Sequence, residues 1–316
     1  MHHMPIFIGS LDLSLISDYL SSTMKNKIPV RKIVAIIGFG LLGTSLGLAL
    51  KDKGYERIGW SRRPESRVQA LKNKVVDKVF DTAEETVANA DITVICLPVP
   101  MIIDFCAKFA KCWKKGAVVT DVGSVKEKIV RTVTPVLSRK GVCFVGGHPM
   151  AGSEQSGADA AQRDLYEGAM VFLTPAAKKS PRQVSEVATL WRRAGAEVME
   201  IDASIHDMTV AHTSHVPHIV SAIMTLTTLG DSKSRAVREK GCAGGFRDTT
   251  RIASSAPQMW REIIESNSPA IIKVISEFEK NLKDFRNNIH KREYQKVEKK
   301  LQSAKQLRDS WIAKKR

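Results

Sequence analysis

The amino-acid sequence predicts an α/β fold, with a doubly wound, mostly parallel sheet followed by an all-α C-terminal domain. Short β-branched apolar runs alternate with helical stretches over the first two-thirds of the chain, which is typical of parallel sheets. After Ile205 only helical patterns remain. We therefore expect an N-terminal extension over residues 1–30, a sheet domain over residues 31–202 and a helical domain over residues 203–316, which ends in a basic helix.

The first predicted strand, Lys32–Ile37, runs directly into a glycine-rich turn, and a helix is predicted over Leu42–Leu50. In a Rossmann-type dinucleotide site, the first glycine permits the turn, the second lets the backbone approach the pyrophosphate, and the third lets the helix pack on the strand. The helix N-terminus then faces the phosphates. Because a strand and a helix flank the motif, we favour a cofactor site over a glycine turn without a ligand. The expected contacts are Gly38, Phe39, Gly40, Leu41, Leu42 and Gly43.

The second predicted strand, Arg57–Trp60, indicates which dinucleotide binds. An acidic residue after this strand would accept a hydrogen bond from the ribose 2′-hydroxyl of NAD. Here Ser61 occupies that position, and Arg62 and Arg63 follow it. A hydroxyl and two guanidiniums suit a 2′-phosphate, which a carboxylate would repel. We therefore expect residues 31–202 to bind NADP in preference to NAD. The alternative is that both arginines are only exposed loop charges.

The later predicted strands place further residues where ligands bind. Ligands of doubly wound sheets lie beyond the carboxyl ends of the strands, so we expect Leu97 and Ser124 at the cofactor and His148 on a loop beside the reacting atoms. A histidine between glycine and proline can exchange a proton near neutral pH. The alternative is an ordinary, hydrogen-bonded imidazole. The strands are predicted over Asp91–Leu97, Ala117–Asp121, Val142–Gly146, Met170–Thr174 and Ala196–Ile201, with a helix over Ser180–Ala194.

Histidines are concentrated at the start of the helical domain. His206 precedes His212, His215 and His218, and the last three recur every third residue on a predicted helix, so they can share one face. There is no HExxH motif, and Asp207 is the only nearby acid. We therefore favour polar substrate contacts or helix capping over a metal site, and we expect no metal.

Two arginines further along form a second candidate group. Arg247 and Arg251 stand one helical turn apart in a segment rich in glycine and threonine. Two guanidiniums on one face form a clamp for a carboxylate. The alternative is that both are solvent-exposed charges.

Composition excludes several other classes of protein. The 316 residues are 43% hydrophobic, with no apolar run long enough to span a membrane. Five scattered cysteines without a CxxC pair indicate a reducing compartment, so we expect a cytoplasmic protein. Residues 280–316 carry +9 of the net charge of +16. A basic tail can bind nucleic acid, but this one lacks interleaved aromatic residues, so we favour a solvated helix face.

Five motifs, taken together and in order, resemble the prephenate and arogenate dehydrogenases of tyrosine biosynthesis. The resemblance extends over roughly residues 32–285, which is nearly the whole chain except its ends. No single motif is decisive, and the specificity lies in their combination. The motifs are Gly38–Gly43, Asp121–Lys126, Gly147–Glu154, His212–His218 and Gly245–Arg251.

The resemblance implies an oxidative decarboxylation of prephenate or arogenate. Hydride leaves the carbinol carbon of a cyclohexadienol for the nicotinamide, and loss of CO₂ then produces an aromatic phenol. His148 would help to remove the hydroxyl proton, Ser124 would position His148 or contact the hydroxyl, and Arg251 would bind a substrate carboxylate. The other implied substrate contacts are His218, Ser214, Arg247, Glu154 and Trp260.

The resemblance also implies a homodimer built through the helical domain. Apolar residues of that domain suit such an interface, although they suit an internal core equally well. We expect neither a membrane nor a nucleic acid as partner. Two alternatives stay open: a hydroxyacid dehydrogenase with a catalytic lysine in the helical half, and a nucleotide-sensing or nucleic-acid-binding protein that uses the basic tail. The apolar residues in question are Ile263, Ile264, Ile271, Ile272, Ile275 and Phe278.

Overall fold

The structure of the protein is a computed structural model that describes residues 31–152, 157–176 and 181–314. The predicted N-terminal extension, residues 1–30, lies outside the described residues, as does the candidate substrate contact Glu154. Strands and helices of the sheet half are followed by helices alone, in the order that the sequence predicts.

One sheet forms the first half of the molecule. Its strands are β1 (Lys32–Ile37), β2 (Tyr55–Trp60), β3 (Lys78–Val79), β4 (Ile92–Ile95), β5 (Val118–Asp121), β6 (Cys143–Pro149), β7 (Met170–Pro175) and β8 (Glu197–Glu200). They lie in the order β3-β2-β1-β4-β5-β6-β7-β8. All neighbouring strands are parallel except β6 and β7, which are antiparallel. This topology confirms the predicted doubly wound, mostly parallel sheet.

Helices cover both faces of this sheet. They are α1 (Leu41–Ala49), α2 (Pro64–Lys72), α3 (Ala83–Asn89), α4 (Val99–Phe109), α5 (Glu127–Ser138) and α6 (Pro181–Arg193). Leu46 of α1 and Trp191 of α6 belong to the core on one face, whereas Ile102 of α4 and Ile129 of α5 belong to the core on the other. Burial on both faces explains why the central strands are continuously apolar in sequence.

The structure corrects the predicted setting of His148. Strand β6 does not end at Gly146 but continues to Pro149. The reason is its antiparallel pairing with β7, in which His148 lies opposite Phe172. His148 therefore lies within a strand and is only 9% exposed, rather than on the loop that follows it.

Every described element from Ala203 onward is helical. These are α7 (Ala203–Val210), a π-helical segment (Ala211–His215), α8 (Val216–Leu229), α9 (Arg235–Gly241), α10 (Gly244–Thr250), a 3₁₀ turn (Arg251–Ser254), α11 (Pro257–Ser266), α12 (Ser268–His290) and α13 (Tyr294–Ala313). Within the described ranges, no helix is both long and apolar enough to cross a membrane.

The apolar residues that suit a dimer interface divide between the interior and the surface. Ile263 and Ile271 are buried within their own chain, and Ile264 and Ile275 pack against the small core of the helical half. Ile272 and Phe278 are 63% and 42% exposed. Only part of the predicted set therefore remains available to a partner.

Candidate active site

The glycine turn after β1 has the geometry of a dinucleotide site. Gly38 has φ +97°, and a Cβ there would lie 2.5 Å from the carbonyl oxygen of Cys96, so no side chain fits. A Cβ at Gly43 would collide with the carbonyl of Gly38. A Cβ at Gly40 would instead point into open space, and Gly40 begins α1 without a side-chain cap. The open backbone and free helix N-terminus fit a pyrophosphate group.

A cleft of about 500 Å³ extends from this turn along the ends of β1, β2 and β4. Ser61 is half-buried, and its carbonyl accepts a hydrogen bond from Nη1 of Arg67 at 2.9 Å, which fixes the backbone here. Lys108 of α4 adds a third cation to the wall, and Asp104 adds one carboxylate. Seven predicted cofactor residues line this cleft: Gly38, Phe39, Gly40, Ser61, Arg62, Arg63 and Leu97.

A second cleft of about 380 Å³ continues from the first, because both are lined by Cys96, Leu97 and Pro98. It reaches the predicted cofactor residues Leu42 and Ser124 on the sheet half. Its opposite wall is the start of α11 in the helical half, from Ala256 to Ile263. Leu41 and Gly43 line neither cleft, and Gly43 is buried against the turn.

His148 belongs to a hydrogen-bonded chain of buried polar side chains, which continues through His206 to Asp207 and which the sequence does not predict. Its Nδ1 lies 2.9 Å from Nε2 of His206, and Nδ1 of His206 lies 2.7 Å from Oδ1 of Asp207. The edge of His206 also packs against Phe172, at 5.7 Å between ring centroids. The adjacent pair His206-Asp207 is the sequence signal from which this chain could have been found.

The Asp207 carboxylate connects the two halves of the protein. Its Oδ1 accepts the backbone N–H of Lys126 at 2.7 Å, and its Oδ2 accepts that of Glu127 at 3.0 Å. It therefore caps the N-terminus of α5, where a negative charge is stabilised by the helix dipole. The amide of Asn267 donates to the Asp207 carbonyl at 2.8 Å and lies 3.1 Å from Nδ1 of His215.

A buried ion pair supports the strand that carries His148. The Lys126 ammonium contacts the Asp121 carboxylate, and both side chains are completely buried. The ammonium also donates to the carbonyl of Gly147 at 2.8 Å. Asp121 in turn accepts the N–H groups of Gly123 at 2.9 Å and Gly147 at 3.0 Å. This pair therefore holds the residue before Ser124 and the residue before His148 in one network.

His148 is held in its neutral form. Burial, followed by the charges of His206, Lys126 and His215, keeps the pKa of His148 well below its usual value of 6.5. Burial also lowers the pKa of His206, although Asp207 opposes that effect. Both imidazoles are therefore uncharged at neutral pH, which is the state a proton acceptor requires.

The structure corrects the expectation that three histidines share one helical face. His218 stacks on Trp260 at 3.5 Å between ring centroids, and His215 contacts the edge of the same indole at 6.0 Å. His212 is 46% exposed and faces Glu277. The segment that contains His212 and His215 is π-helical and has wider turns than an α-helix, so the expected α-helical spacing does not apply to it. No group of three potential metal ligands occurs among the described residues.

The remaining candidates lie on elements that contact α8, the helix that carries His218, or on α11. Ser214 is half-buried in the π-helical segment, Arg247 is exposed on α10, and Arg251 is exposed at the start of the 3₁₀ turn, which packs against α8. Nε1 of Trp260 is buried and has no hydrogen-bond partner in the part of the chain that the structure describes. A buried donor of this kind is suited to an acceptor on a ligand.

A larger cleft, of about 710 Å³, lies elsewhere, between α5, α7 and the start of α12. Asp207 and His212 line it, but none of the predicted cofactor residues does, nor does His148, Ser124, Arg247 or Arg251. The candidate active site is therefore the pair of connected clefts at the strand ends, together with the buried chain behind them.

Comparison with known proteins matches two family models to consecutive parts of the chain. A family model described as "Prephenate dehydrogenase, nucleotide-binding domain" matches residues 46–200, and one described as "Prephenate dehydrogenase, dimerization domain" matches residues 202–303. Cyclohexadienyl dehydrogenase of Zymomonas mobilis is 33% identical over 265 residues, which cover 82% of this chain and 89% of that protein.

Two solved structures are similar over most of their length. Prephenate dehydrogenase from A. aeolicus, in complex with hydroxyphenyl propionate and NAD+, has a TM-score of 0.82 and 30% identity, covering 90% of this chain and 99% of that one. Arogenate dehydrogenase from Synechocystis has a TM-score of 0.79 and 27% identity, covering 88% and 99%.

Proposed function

The chain belongs to the prephenate dehydrogenase family, and we propose that it oxidises and decarboxylates prephenate or arogenate with NADP as hydride acceptor. The products are 4-hydroxyphenylpyruvate or tyrosine, respectively. The observation that carries the proposal is the neutral, buried His148 on β6, one strand away from the cleft that Ser124 lines. The scattered cysteines keep the cytoplasm as the proposed place of action.

In the proposed reaction His148 takes the proton of the substrate hydroxyl, and Ser124 orients that hydroxyl. A bound nicotinamide supplies the acceptor for the hydride that leaves the carbinol carbon. The bond from the ring to its carboxylate then breaks, CO₂ leaves, and the electron pair of that bond completes the aromatic ring. The proton returns from His148 to the phenolate oxygen. Positioning and one proton transfer are thus what the chain itself has to provide.

The helical half supplies the proposed substrate contacts. Arg251 binds a carboxylate of the substrate, with Arg247 as a second cation on the preceding turn. Ser214 and His218 contact the substrate in this proposal, and the unpartnered Nε1 of Trp260 donates to a substrate oxygen. The same roles suit prephenate and arogenate, since both carry the ring carboxylate. Glu154 keeps its proposed substrate role, although it lies outside the described residues.

The preference for NADP rests on the wall of the first cleft. Ser61, Arg62 and Arg63 stand beside Gly38 and Gly40, and Lys108 faces the same space. A 2′-phosphate can accept charge-assisted hydrogen bonds from these cations. Each such hydrogen bond contributes about 1.5–3 kcal/mol to binding. NAD lacks the phosphate and gains nothing from them.

The test is a matrix of initial rates with prephenate and arogenate against NADP and NAD. We expect NADP to be reduced with at least one of the two substrates, and kcat/KM to favour NADP over NAD. Ser61→Asp combined with Arg62→Ala should shift the preference toward NAD by about 10- to 100-fold. Arg182→Ala, which removes an exposed arginine on α6, is the matched control and should leave the preference for NADP over NAD unchanged. An unchanged NADP preference in the double variant would contradict the cofactor assignment.

We also propose that two copies associate through the helical half. Apolar side chains of α8 and α12 remain uncovered within the chain, including Leu226 at 69%, Ile272 at 63% and Leu282 at 58% exposure. Sedimentation or light scattering should give twice the monomer mass of 34.9 kDa. Ile272→Glu combined with Leu282→Glu should shift the mass toward the monomer, and a monomeric wild type would refute this proposal.

A further inference from the structure

We propose that Asp207 and His206 are positioning residues that fix the tautomer of His148, with Nδ1 protonated and Nε2 left as the proton-accepting atom. The catalytic consequence of this arrangement rests on the proposed function. The tautomer itself is a property of the protein alone and can be measured without substrate.

The direction of the hydrogen bonds follows from the Asp207 end of the chain. The Asp207 carboxylate already accepts two backbone N–H groups at the N-terminus of α5, and a carboxylate offers no proton. Nδ1 of His206, 2.7 Å from Oδ1 of Asp207, must therefore carry a proton and donate it. Burial keeps His206 neutral, so its Nε2 has a lone pair and accepts.

The same reasoning then applies to His148. Its Nδ1 lies 2.9 Å from the accepting Nε2 of His206, so Nδ1 must carry the proton. Because His148 is also neutral, its Nε2 is unprotonated. The carboxylate of Asp207, acting through His206, thus determines which nitrogen of the His148 imidazole acts as the base.

Among the residues that the structure describes, the groups around the chain are already engaged elsewhere or are apolar. The Lys126 ammonium is already bound to Asp121 and to the Gly147 carbonyl. His215 is paired with the Asn267 amide, and the side facing β7 is the apolar ring of Phe172. Reversing the chain would require the Asp207 carboxyl to be protonated at the end of a helix whose dipole stabilises its anion.

The arrangement also stabilises the charge that forms during the reaction. When Nε2 of His148 takes the substrate proton, its Nδ1–H becomes a stronger donor to His206, and His206 becomes a stronger donor to Asp207. The new positive charge is thereby balanced without moving the carboxylate. This is the role of the aspartate in a Ser-His-Asp triad, performed here through one additional imidazole.

The first test is ¹⁵N NMR of the full-length protein labelled in its imidazole nitrogens, at neutral pH. We expect the His148 signals to show a protonated Nδ1 and an unprotonated Nε2, assigned by their loss in His148→Gln. His206→Phe keeps a ring against Phe172 but removes the acceptor, and should change the His148 tautomer. His212→Phe is the matched control, because the same substitution is made at a 46% exposed histidine two residues beyond α7. It should leave the His148 signals unchanged.

The second test is kinetic. His206→Phe should lower kcat by about 10- to 100-fold, as expected for a misoriented base, while KM and the Kd for NADP change less than about threefold. His206→Gln, which retains an acceptor for Nδ1 of His148, should recover part of the lost kcat. A role in folding alone would lower the melting temperature without this separation of kcat from KM.

Two results would overturn the proposal: a wild-type His148 protonated at Nε2, or a His206→Phe variant that keeps both the wild-type tautomer and the wild-type kcat. If the wild type reduces neither NADP nor NAD with either substrate, the proposed function fails. The NMR measurement still decides the tautomer in that case.

Discussion

Replacing Lys126 by methionine tests how much the buried ion pair between Lys126 and Asp121, which binds the backbone of β6 at Gly147, stabilises the protein. Lys126→Met keeps most of the side-chain volume but leaves the Asp121 carboxylate buried with only two backbone donors, Gly123 and Gly147. Both members of the pair are completely buried. Removing one partner of such a pair costs about 3–5 kcal/mol, because the remaining charge is neither paired nor hydrated.

That cost can be read as a change in thermal stability. A loss of 1 kcal/mol lowers Tm by about 2–4 °C in a domain of 150–250 residues, so we expect a decrease of about 6–20 °C in thermal unfolding followed by circular dichroism. The carbonyl of Gly147 also loses the ammonium that binds it, and His148 is the next residue. We therefore expect kcat to fall as well, measured below the new Tm.

The matched control is Lys305→Met, the same substitution at an exposed pair. Lys305 lies 2.6 Å from Asp309, with side chains 68% and 58% exposed, and exposed pairs contribute less than about 1 kcal/mol. Asp121→Asn combined with Lys126→Met removes both buried charges and should recover part of the lost stability. If Lys126→Met melts within about 2 °C of Lys305→Met, the argument from burial is wrong.

Three further predictions concern single groups of the site. Burial lowers the pKa of His215 from 6.5 to about 4, so the unfolded state binds more protons below pH 6.5 and stability is lost as the pH falls from there. His215→Phe should reduce the loss in urea unfolding free energy between pH 6.5 and pH 5 by about 2 kcal/mol, and an unchanged pH dependence would contradict this. Gly40→Val should keep the wild-type Tm but weaken NADP binding in calorimetry at least tenfold, whereas Gly43→Ala should lower the Tm; equal Tm values for the two would count against the glycine assignments. Trp260→Phe keeps the stack on His218 but removes the Nε1 donor, and should raise KM for the substrate about 5- to 15-fold; an unchanged KM would show that the indole N–H does not bind substrate.

Features set by neighbouring residues could be predicted from the sequence. The turn at Gly38 follows from the continuously apolar strand before it and the helical composition after it. The cofactor residues cluster for the same reason, since the ends of parallel strands meet at one edge of the sheet. The strand β3 was not predicted, because two residues, Lys78 and Val79, are too few to show a period.

Features set by residues far apart in the chain could not be predicted from the sequence. The extension of β6 through His148 depends on an antiparallel partner that begins at Met170, and no local pattern specifies that pairing. The helical periodicity of the histidines was broken by the π-helical segment, which turned His212 away from Trp260. The hydrogen bond between His148 and His206 joins residues 58 positions apart, so the sequence showed two separate histidines where the structure has one chain.

The capping of α5 by Asp207 has a consequence for how the two halves can be exchanged during evolution or engineering. A sheet half transplanted onto another helical half would keep the first cofactor cleft, yet it would lose the residue that we propose orients His148. The helical half is thus more than a replaceable receptor for the substrate. On our proposal, a chimera that takes its sheet half from this chain should also take the adjacent His206-Asp207 pair, which reaches the β6 histidine across the domain boundary.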